Sequence, residues 1–324
     1  MDVRAIIGDI EKKLLKLEEE IRKRIHSEVE AISLMGEHIY LTRGKRVRPI
    51  LLLLSSRLCG YKGENDVFYA MIVELIHNAT LIHDDVIDNS STRRGKPSVN
   101  SQWGNTLTVL LGDYLYIEAM DLALRDQRID IMQILSSTTK KMIEGELMQN
   151  TRLADVNLTE DDYLDIIRRK TAYLFSACSS IGAMLANSSE EEKKALSQFA
   201  FYLGIAFQLV DDVLNFTSAE EVLGKPVGND LLEGKLTLPV ILLLKQENTE
   251  ERIKVENVLK EKSYDSVKRE EIIALLNKYK ALEESKKRAA FYTEKAKKNL
   301  DCFSPSQPRE SLMLLADFII QREK

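Results

Sequence analysis

The chain has 324 residues, of which 44% are hydrophobic, and its formal net charge at pH 7 is -5. This length and apolar content suffice for a large buried core, and the mildly acidic charge excludes the strongly basic footprint of a nucleic-acid-binding protein. With only 14 glycines and 6 prolines, no Pro/Gly/Ser linker divides the sequence, so we expect one domain over residues 1–324.

Cysteine usage and the apolar runs bear on the compartment. Cys59, Cys178 and Cys302 lie far apart, with neither CxxC spacing nor a nearby His, which predicts reduced thiols rather than disulfides or a zinc site. The N-terminus reaches charged residues before any signal-type apolar core. The longest apolar runs, such as 50–54 and 238–244, fall short of the ~20 residues of a spanning helix. We therefore expect a cytoplasmic protein without a transmembrane segment.

Apolar residues recur at spacings of three and four along nearly the whole chain, and strand patterns are absent. Thr159, followed by three acidic residues, has the N-cap and acidic first turn of a helix start. The predicted helices cover residues 1–40, 47–58, 66–88, 100–124, 129–152, 159–186 and 189–216, and a long charged helix covers 267–300. These elements predict an all-α helical bundle around a central cavity.

Three aspartates, Asp84, Asp85 and Asp88, lie at the end of the predicted helix over 66–88. At about 100° per residue, Asp84 and Asp88 share a face one turn apart, and His77 lies about two turns earlier near the same line. Charge clusters commonly end a helix in solvent, but apolar residues surround these, and nearby carboxylates repel one another unless a cation neutralises them. Such oxygen ligands suit Mg²⁺ held together with substrate phosphates.

A second acidic pair, Asp211 and Asp212, repeats this arrangement within the apolar helix over 189–216, and Asn215 follows one turn later. Two such pairs are hard to assign to solvated surface. We therefore expect the two acidic rims to face each other and form one site for several cations. The apolar cavity beneath would suit an amphiphile with an anionic head and a hydrocarbon tail.

Basic residues accompany both acidic motifs. Lys45 and Arg48 lie at the start of the helix over 47–58, where backbone N–H groups and cationic side chains favour an anion. A basic position taken alone is commonly surface decoration, but together these residues supply what two diphosphate groups need. The others lie after the first acidic motif, in the middle of a helix, or beside the loop that follows the second motif: Arg93, Arg94, Lys170, Lys225 and Lys235.

Seven motifs of the chain together resemble the trans-isoprenyl (polyprenyl) diphosphate synthases, and most closely their long-chain, octaprenyl-like members. They are GKRVRP, HNATLIHDDVIDNSSTRRGKP, GDYLY, EGELMQ, KTAYLF, FQLVDDVLNF and GKPVGNDLLEGKLTLP, in family order from about residue 44 to 239. The resemblance implies an all-α isoprenoid synthase fold, commonly a homodimer. It also implies about three Mg²⁺ ions in a central cavity, bound through carboxylates and substrate phosphates.

The family roles fall on matching positions of this chain. Asp84, Asp88 and Asp211 would hold Mg²⁺, with Asp85 and Asp212 as further catalytic carboxylates, whereas Asn215 replaces an aspartate of many relatives. Isopentenyl diphosphate would be bound by Lys45, Arg48, His77 and Arg94. The allylic diphosphate would be bound by Arg93, Lys170, Thr171, Gln208, Lys225 and Lys235. Lys170 and Lys225 would also be catalytic residues.

The activity that the resemblance implies is condensation of isopentenyl diphosphate with an allylic diphosphate such as farnesyl diphosphate. Departure of the allylic diphosphate leaves a carbocation, which the double bond of isopentenyl diphosphate attacks. Loss of a proton then gives a product longer by one isoprene unit. Metal ions and cationic side chains stabilise the departing diphosphate, and apolar walls exclude the water that would quench the cation.

Small residues precede the first acidic motif on the helix that lines the predicted cavity. Large aromatics at Ala79 and Thr80 are typical of short-chain members of the family, so these small residues predict a product near octaprenyl length. Helix packing alone also explains small residues at these positions. Met120 and Ala123, with Leu124 and Leu135, are candidates for the remainder of the chain-length pocket.

Three alternatives remain open at the level of sequence. A geranylgeranyl or farnesyl diphosphate synthase would keep every motif and stop earlier. A terpene cyclase would not need the basic GKRVRP turn, and Ala219 occupies the offset from Asp211 at which a cyclase typically has Glu. A non-catalytic subunit is expected to have lost metal ligands, whereas both acidic pairs are present here.

Overall fold

The computed structural model describes residues 6–42, 44–218, 227–246 and 249–322, which are almost entirely helical, as predicted. A short 3₁₀ turn, Gly8–Ile10, precedes the first α-helix. The α-helices are α1 (Glu11–Arg24), α2 (Glu30–Leu41), α3 (Val47–Leu58), α4 (Asn65–Ile87), α5 (Val99–Arg125), α6 (Ile129–Thr151), α7 (Glu160–Ile167), α8 (Tyr173–Leu185), α9 (Glu190–Thr217), α10 (Asn229–Leu232), α11 (Leu238–Leu244), α12 (Thr249–Glu261), α13 (Arg269–Lys278), α14 (Ala281–Lys298) and α15 (Gln307–Ile320).

Capping side chains fix the starts of α7 and α9. The Thr159 hydroxyl accepts the Asp162 backbone N–H while the Asp162 carboxylate accepts the Thr159 N–H, which closes a capping box. Ser189 and Glu192 form the same pair at the start of α9. The N-cap predicted at Thr159 is therefore confirmed, and both helices begin where their acidic first turns indicate.

Three details differ from the sequence prediction. The helix expected over 1–40 is divided between α1 and α2, with a break over 25–29. The long helix expected over 267–300 is divided at Lys280, whose left-handed φ of 54° separates α13 from α14. Strands, predicted to be absent, occur as a hairpin in which β1 (Thr92–Arg93) pairs with β2 (Lys96–Pro97).

A π-helical segment, Arg168–Ala172, joins α7 to α8 and carries Lys170 and Thr171. It packs against α6 at Gly145, where an added Cβ would lie 2.9 Å from the Lys170 backbone nitrogen. The glycine of the EGELMQ motif therefore permits a close helix contact directly beside a predicted binding residue. Single-turn π segments of this kind occur often at functional sites.

The helices surround a space between α4 and α9. Helix α4 packs mainly against α5, α9 packs against α8 and α14, and α3 packs against both α4 and α8. The buried apolar residues form two clusters, and α9 contributes Phe199 and Leu203 to one and Leu209 and Val213 to the other. Because α9 runs through both clusters, the ends of α4 and α9 are held by a continuous packed layer.

One helix of the described residues, α9, is long and apolar enough to cross a membrane by length and composition. Its apolar side chains are mostly buried in the bundle, which is the pattern of a core helix, so it gives no separate support for a membrane span. Cys59, Cys178 and Cys302 are all free, which confirms the predicted absence of disulfides among them.

Candidate active site

Three adjoining cavities lie along the C-terminal ends of α4 and α9. The basic cavity, about 720 Å³, adjoins the start of α3, and its lining includes Lys45, Arg46, Arg48, Glu74, His77, Arg94, Phe207, Asp211 and Arg322. The mixed cavity, about 360 Å³, shares Arg48, His77, Arg94, Phe207 and Asp211 with it and adds Asp84, Arg93, Lys170, Thr171 and Lys235. The apolar groove, about 460 Å³, starts at Thr80, Asp84 and Lys170 and continues along Val86, Ile87, Val109, Ile143 and Leu147.

Two aspartates of the first acidic motif are paired with cationic side chains. The buried carboxylate of Asp85 accepts three hydrogen bonds from Arg93, at 2.7, 2.8 and 2.9 Å. The carboxylate of Asp88, at the C-cap of α4, forms a 2.7 Å ion pair with Lys235. Asp85 therefore fixes the orientation of Arg93, and Asp88 links α4 to the segment that follows α10.

Asp84, the third member, lines both the mixed cavity and the apolar groove. Burial raises the pKa of its carboxyl group to about 7, the charge of Glu146 adds to this, and Lys170 opposes it. A carboxyl group with this pKa is partly protonated near neutral pH. A cation bound beside Asp84 would offset both the burial and the repulsion from Glu146, and so restore the ionised form.

Asp212, on α9, belongs to a buried hydrogen-bonded chain. The Tyr163 hydroxyl donates to one carboxylate oxygen of Asp212 at 2.5 Å, and Gln208 Nε2 donates to the other at 2.9 Å. Thr171 Oγ1 in turn donates to Gln208 Oε1 at 2.9 Å. Burial and the charge of Asp230 raise the pKa of Asp212 to about 7, although the two hydrogen bonds lower it. Asp212 thus positions Gln208 and Thr171 at the wall of the mixed cavity.

Asp211 and Asn215, one turn apart on α9, face the basic cavity. The Asp211 carboxylate pairs with the guanidinium of Arg322, beyond the end of α15. The Asn215 side-chain oxygen is buried and has no hydrogen-bond partner among the described residues. An amide oxygen beside a carboxylate is a ligand set that a hard cation or a water bound to it can satisfy.

The carboxylates fit a divalent metal by their chemistry rather than by a preformed cage. Within the described ranges, no group of three or more His, Cys, Asp or Glu side chains is positioned to hold a metal ion. Two of the three predicted metal ligands, Asp88 and Asp211, instead hold Lys235 and Arg322. Asp84 adds a carboxyl group whose pKa is raised by burial and by the charge of Glu146, and the unpaired side-chain oxygen of Asn215 adds a further possible ligand. These residues fit Mg²⁺ binding if Lys235 and Arg322 move aside.

Arg48 and His77 form one contact at the boundary of the basic and mixed cavities. Arg48 Nη1 donates to His77 Nε2 at 2.9 Å, and the guanidinium lies 5.1 Å from the centre of the Phe175 ring. Burial and the charge of Arg48 hold the pKa of His77 well below its usual value. His77 is therefore neutral, and because arginine can only donate, its ring proton is on Nδ1.

The hairpin places adjacent arginines on different partners. Its two-residue turn, Arg94 and Gly95, has positive φ at both positions (52° and 73°), as a type I′ turn requires. Arg93 pairs with Asp85, whereas Arg94 Nη1 donates to the Thr42 carbonyl at 2.7 Å and lines both cavities. A Cβ at Gly44 would lie 2.5 Å from the Arg94 guanidinium, so the glycine of GKRVRP leaves room for Arg94.

Lys170 is held at the junction of the mixed cavity and the apolar groove. Its ammonium group forms a 2.6 Å ion pair with Glu146 and donates to Gln149 Oε1 at 2.5 Å. Lys235 likewise pairs with Glu233 at 2.8 Å in addition to Asp88. Both ammonium groups therefore lie in the cavity walls, available for an anion that competes with their carboxylate partners.

The structure separates the four predicted chain-length residues. Thr80 lines the apolar groove, and its hydroxyl donates to the His77 carbonyl at 2.8 Å. Ala79 and Ala123 are buried in the core, Met120 packs against it, and none of these three lines the three cavities described above. Lys225, predicted to contact the allylic diphosphate, lies outside the described residues.

Several residues of the cavities had no role in the sequence prediction. Glu146 lies in EGELMQ, one of the motifs that carry the resemblance, so its charge was a sequence signal for a role in the site. Tyr163 lies one turn after the N-cap Thr159, so its signal was the capping pattern. Glu74 lies about one turn before His77 on α4, so helical periodicity indicates that the two residues share a face. Arg322, near the C-terminus, has no sequence signal for its contact with Asp211, because only the fold brings these positions together.

Comparisons with known proteins agree with this geometry. The sequence model of the polyprenyl synthetase family matches residues 29–276. The octaprenyl diphosphate synthase of Escherichia coli is 36% identical over 304 residues, covering 94% of this chain and 94% of that protein. The geranylgeranyl diphosphate synthase of Methanosarcina mazei is 35% identical, covering 86% of each chain. The polyprenyl synthase of Caulobacter crescentus, solved with calcium and isoprenyl diphosphate, superimposes with a TM-score of 0.96 at 35% identity, covering 100% of this chain and 98% of that one.

Proposed function

We propose a reaction for this chain, which belongs to the polyprenyl synthetase family and is therefore a prenyl diphosphate synthase. It condenses isopentenyl diphosphate with an allylic diphosphate and gives a long all-trans product. The observation that carries the proposal is the pair of adjoining cavities that share Arg48 and His77. One is rich in cations, and the other has Asp84 and Lys170 at the mouth of an apolar groove. Two diphosphates and one hydrocarbon tail require this division of charge.

In the proposed reaction the basic cavity holds isopentenyl diphosphate through Lys45, Arg48 and Arg94, with His77 orienting Arg48. The mixed cavity holds the allylic diphosphate through Arg93, Lys170, Thr171, Gln208 and Lys235. These assignments follow the cavity linings and place charge-assisted donors around each head group. Lys225 retains its proposed allylic role on the resemblance alone.

About three Mg²⁺ ions, held by Asp84, Asp88 and Asp211, would neutralise the departing diphosphate when bound. The bond between the allylic carbon and its diphosphate oxygen breaks, a carbon–carbon bond forms to isopentenyl diphosphate, and the released diphosphate takes the proton. Lys170 and Lys235 donate hydrogen bonds to the negative charge that grows on that diphosphate. The apolar groove below Thr80 receives the tail and excludes water from the cation.

We further propose a product near octaprenyl length, because Thr80 leaves the start of the apolar groove open. A geranylgeranyl-length product is the alternative, favoured by similarity to the Methanosarcina mazei enzyme. The proposal includes a single domain, a cytoplasmic location and a homodimer. The homodimer is supported by a line of exposed apolar residues, Leu110, Ile117 and Leu124, which recur every seven residues along α5 and are 58%, 61% and 57% exposed.

The test is incubation of the purified protein with Mg²⁺, farnesyl diphosphate and isotope-labelled isopentenyl diphosphate, with products sized by mass spectrometry. A ladder ending near octaprenyl length, lost in Asp84→Asn, supports the proposal and the metal role of Asp84. Termination at geranylgeranyl length supports the alternative. Recovery of intact farnesyl diphosphate without elongation would overturn the condensation reaction.

A further inference from the structure

Arg46, the central arginine of the GKRVRP motif, is held by two carboxylates rather than directed at a ligand. Its guanidinium contacts Glu74 of α4 at 2.5 Å and both carboxylate oxygens of Glu18, on α1, at 2.7 and 3.1 Å. The side chains of Arg46 and Glu74 are only 8% and 5% exposed. Although burial opposes ionisation, the hydrogen bonds and charges of Glu18 and Glu74 hold the pKa of Arg46 above its ordinary value. Arg46 is thus a charged group in which each of the three guanidinium nitrogens donates a hydrogen bond to a protein carboxylate.

This cluster fixes the turn from which two predicted ligands extend. Arg46 has a left-handed φ of 54° and is the N-cap of α3, where its carbonyl accepts the Ile50 N–H at 3.0 Å. Lys45 precedes it and Arg48 follows it, and both line the basic cavity. A non-glycine residue in this conformation needs surrounding contacts to hold it. The bonds to Glu18 and Glu74 are those contacts.

The start of α3 is joined to α4 by a second contact, one turn further along α4. Arg46 contacts Glu74, and Arg48 contacts His77, three residues further on. Glu74 also favours the charged forms of Arg48 and Arg94, whose pKa values burial lowers. Two contacts therefore hold the start of α3 at a fixed position along α4. Of the residues that make them, only Arg48 and His77 belong to the predicted ligand set.

We propose that Glu18, Arg46 and Glu74 form a positioning cluster for the isopentenyl diphosphate site, so that α1 controls affinity for this substrate without touching it. Glu18 lies on α1 and does not line the basic or the mixed cavity. Its bonds to Arg46, the neighbour of Lys45, connect Glu18 to the residues that line the basic cavity. The inference rests on the proposed function, because it names the substrate whose binding the cluster sets.

Helix α1 also provides a matched control. Lys13 forms a 2.6 Å ion pair with Asp66, which is 1% exposed, and donates to the Gly63 carbonyl at 2.9 Å. Asp66 is at the start of α4, more than two turns before Glu74 and away from the cavities. Loss of the Lys13 pair weakens the docking of α1 but leaves the contacts of Arg46 in place.

The experiment compares Glu18→Gln with Lys13→Gln in the full-length protein. We expect Glu18→Gln to raise the KM for isopentenyl diphosphate about tenfold, which is about 1.4 kcal/mol, with kcat and the KM for farnesyl diphosphate unchanged. We expect Lys13→Gln to lower Tm while leaving all three constants at wild-type values. Circular dichroism melting of both variants reports the stability of the fold.

Two results would overturn the inference. One is an unchanged KM for isopentenyl diphosphate in Glu18→Gln, which would make the cluster structural only. The other is an equal rise in both variants, which would assign the effect to docking of α1 in general. Failure of the wild type to elongate would instead reject the proposed function. In that case calorimetric titration of isopentenyl diphosphate into the wild type and both variants decides the inference, with a tenfold weaker Kd expected only for Glu18→Gln.

Discussion

Replacement of Tyr163 by phenylalanine tests whether the buried chain from Tyr163 to Thr171 serves the allylic substrate. The Tyr163 hydroxyl donates to Asp212 at 2.5 Å, and both side chains are buried, with 3% of each residue exposed. Loss of a buried hydrogen bond to a carboxylate costs about 2 kcal/mol. We therefore expect Tyr163→Phe to lower the free energy of unfolding by that amount and Tm by roughly 5 °C.

The same substitution should act on one substrate more than on the other. With one donor lost, Asp212 holds Gln208 less firmly, and Gln208 orients the Thr171 hydroxyl at the mixed cavity. Misplacement of one hydrogen-bonding group costs about 1 kcal/mol, a factor of about five. We expect the KM for farnesyl diphosphate to rise about fivefold and the KM for isopentenyl diphosphate to stay unchanged in steady-state assays.

Tyr69→Phe is the matched control, because the buried Tyr69 also donates to an aspartate, Asp126, at 2.5 Å, but this pair lies outside the basic cavity, the mixed cavity and the apolar groove. It should cost about 1 kcal/mol of stability, since Asp126 can be rehydrated, and leave both KM values at the wild-type level. Equal KM values for farnesyl diphosphate in the two variants would refute the reasoning.

Four further outcomes are expected. Gly145→Ala should lower kcat about tenfold, which raises the activation free energy by about 1.4 kcal/mol, because the added Cβ displaces the backbone of the π segment. Rapid-quench turnover measures this, and a wild-type kcat would contradict it. Thr80→Phe should shorten the product seen by mass spectrometry, since a ring would fill the start of the apolar groove, and an unchanged product length would place the floor elsewhere. Ile117→Glu should give a monomer in sedimentation velocity, whereas Phe291→Glu, at an equally exposed apolar residue of α14, should not; a dimer in both variants would exclude this face of α5. Burial and neighbouring arginines depress the pKa of His77 in the folded state. Below about pH 6.5 the unfolded state therefore binds more protons than the folded state, and the free energy of unfolding decreases by up to about 1.4 kcal/mol for each unit by which the pH is lowered. Urea unfolding of His77→Gln should lack this part of the acid sensitivity, and parallel pH profiles for the two proteins would contradict it.

The helical architecture was predictable wherever local signals agree. Thr159 and its acidic first turn place the start of α7 because capping depends on neighbours within one turn. The break at Lys280 was not predictable, since a lysine in the left-handed conformation has no signal of the kind that Gly or Pro gives. The hairpin was missed for a related reason, because two-residue strands are too short for an alternating pattern.

The site was predictable as a set of residues and less so as a set of contacts. Periodicity and motif spacing bring Asp84 and His77 to one face of α4, as the structure has them. The pairing of Asp88 with Lys235, and of Asp211 with Arg322, depends on how segments more than 100 residues apart pack together. Those partners are set by tertiary structure, which periodicity within one helix does not encode.

The π segment makes the number of residues between α7 and α8 as consequential as their identity. A π turn pairs residue i with i+5 where an α turn pairs it with i+4, so it holds one more residue than an α turn. Removal of one residue from Arg168–Ala172 would therefore restore regular α-helix and leave α7 and α8 in their present orientation. The change would be local: the wider turn that carries Lys170 and Thr171 would be lost, and with it the positions from which they contact Glu146 and Gln208. If these two residues bind the allylic diphosphate as proposed, a one-residue deletion here would leave the fold intact and weaken binding of that substrate.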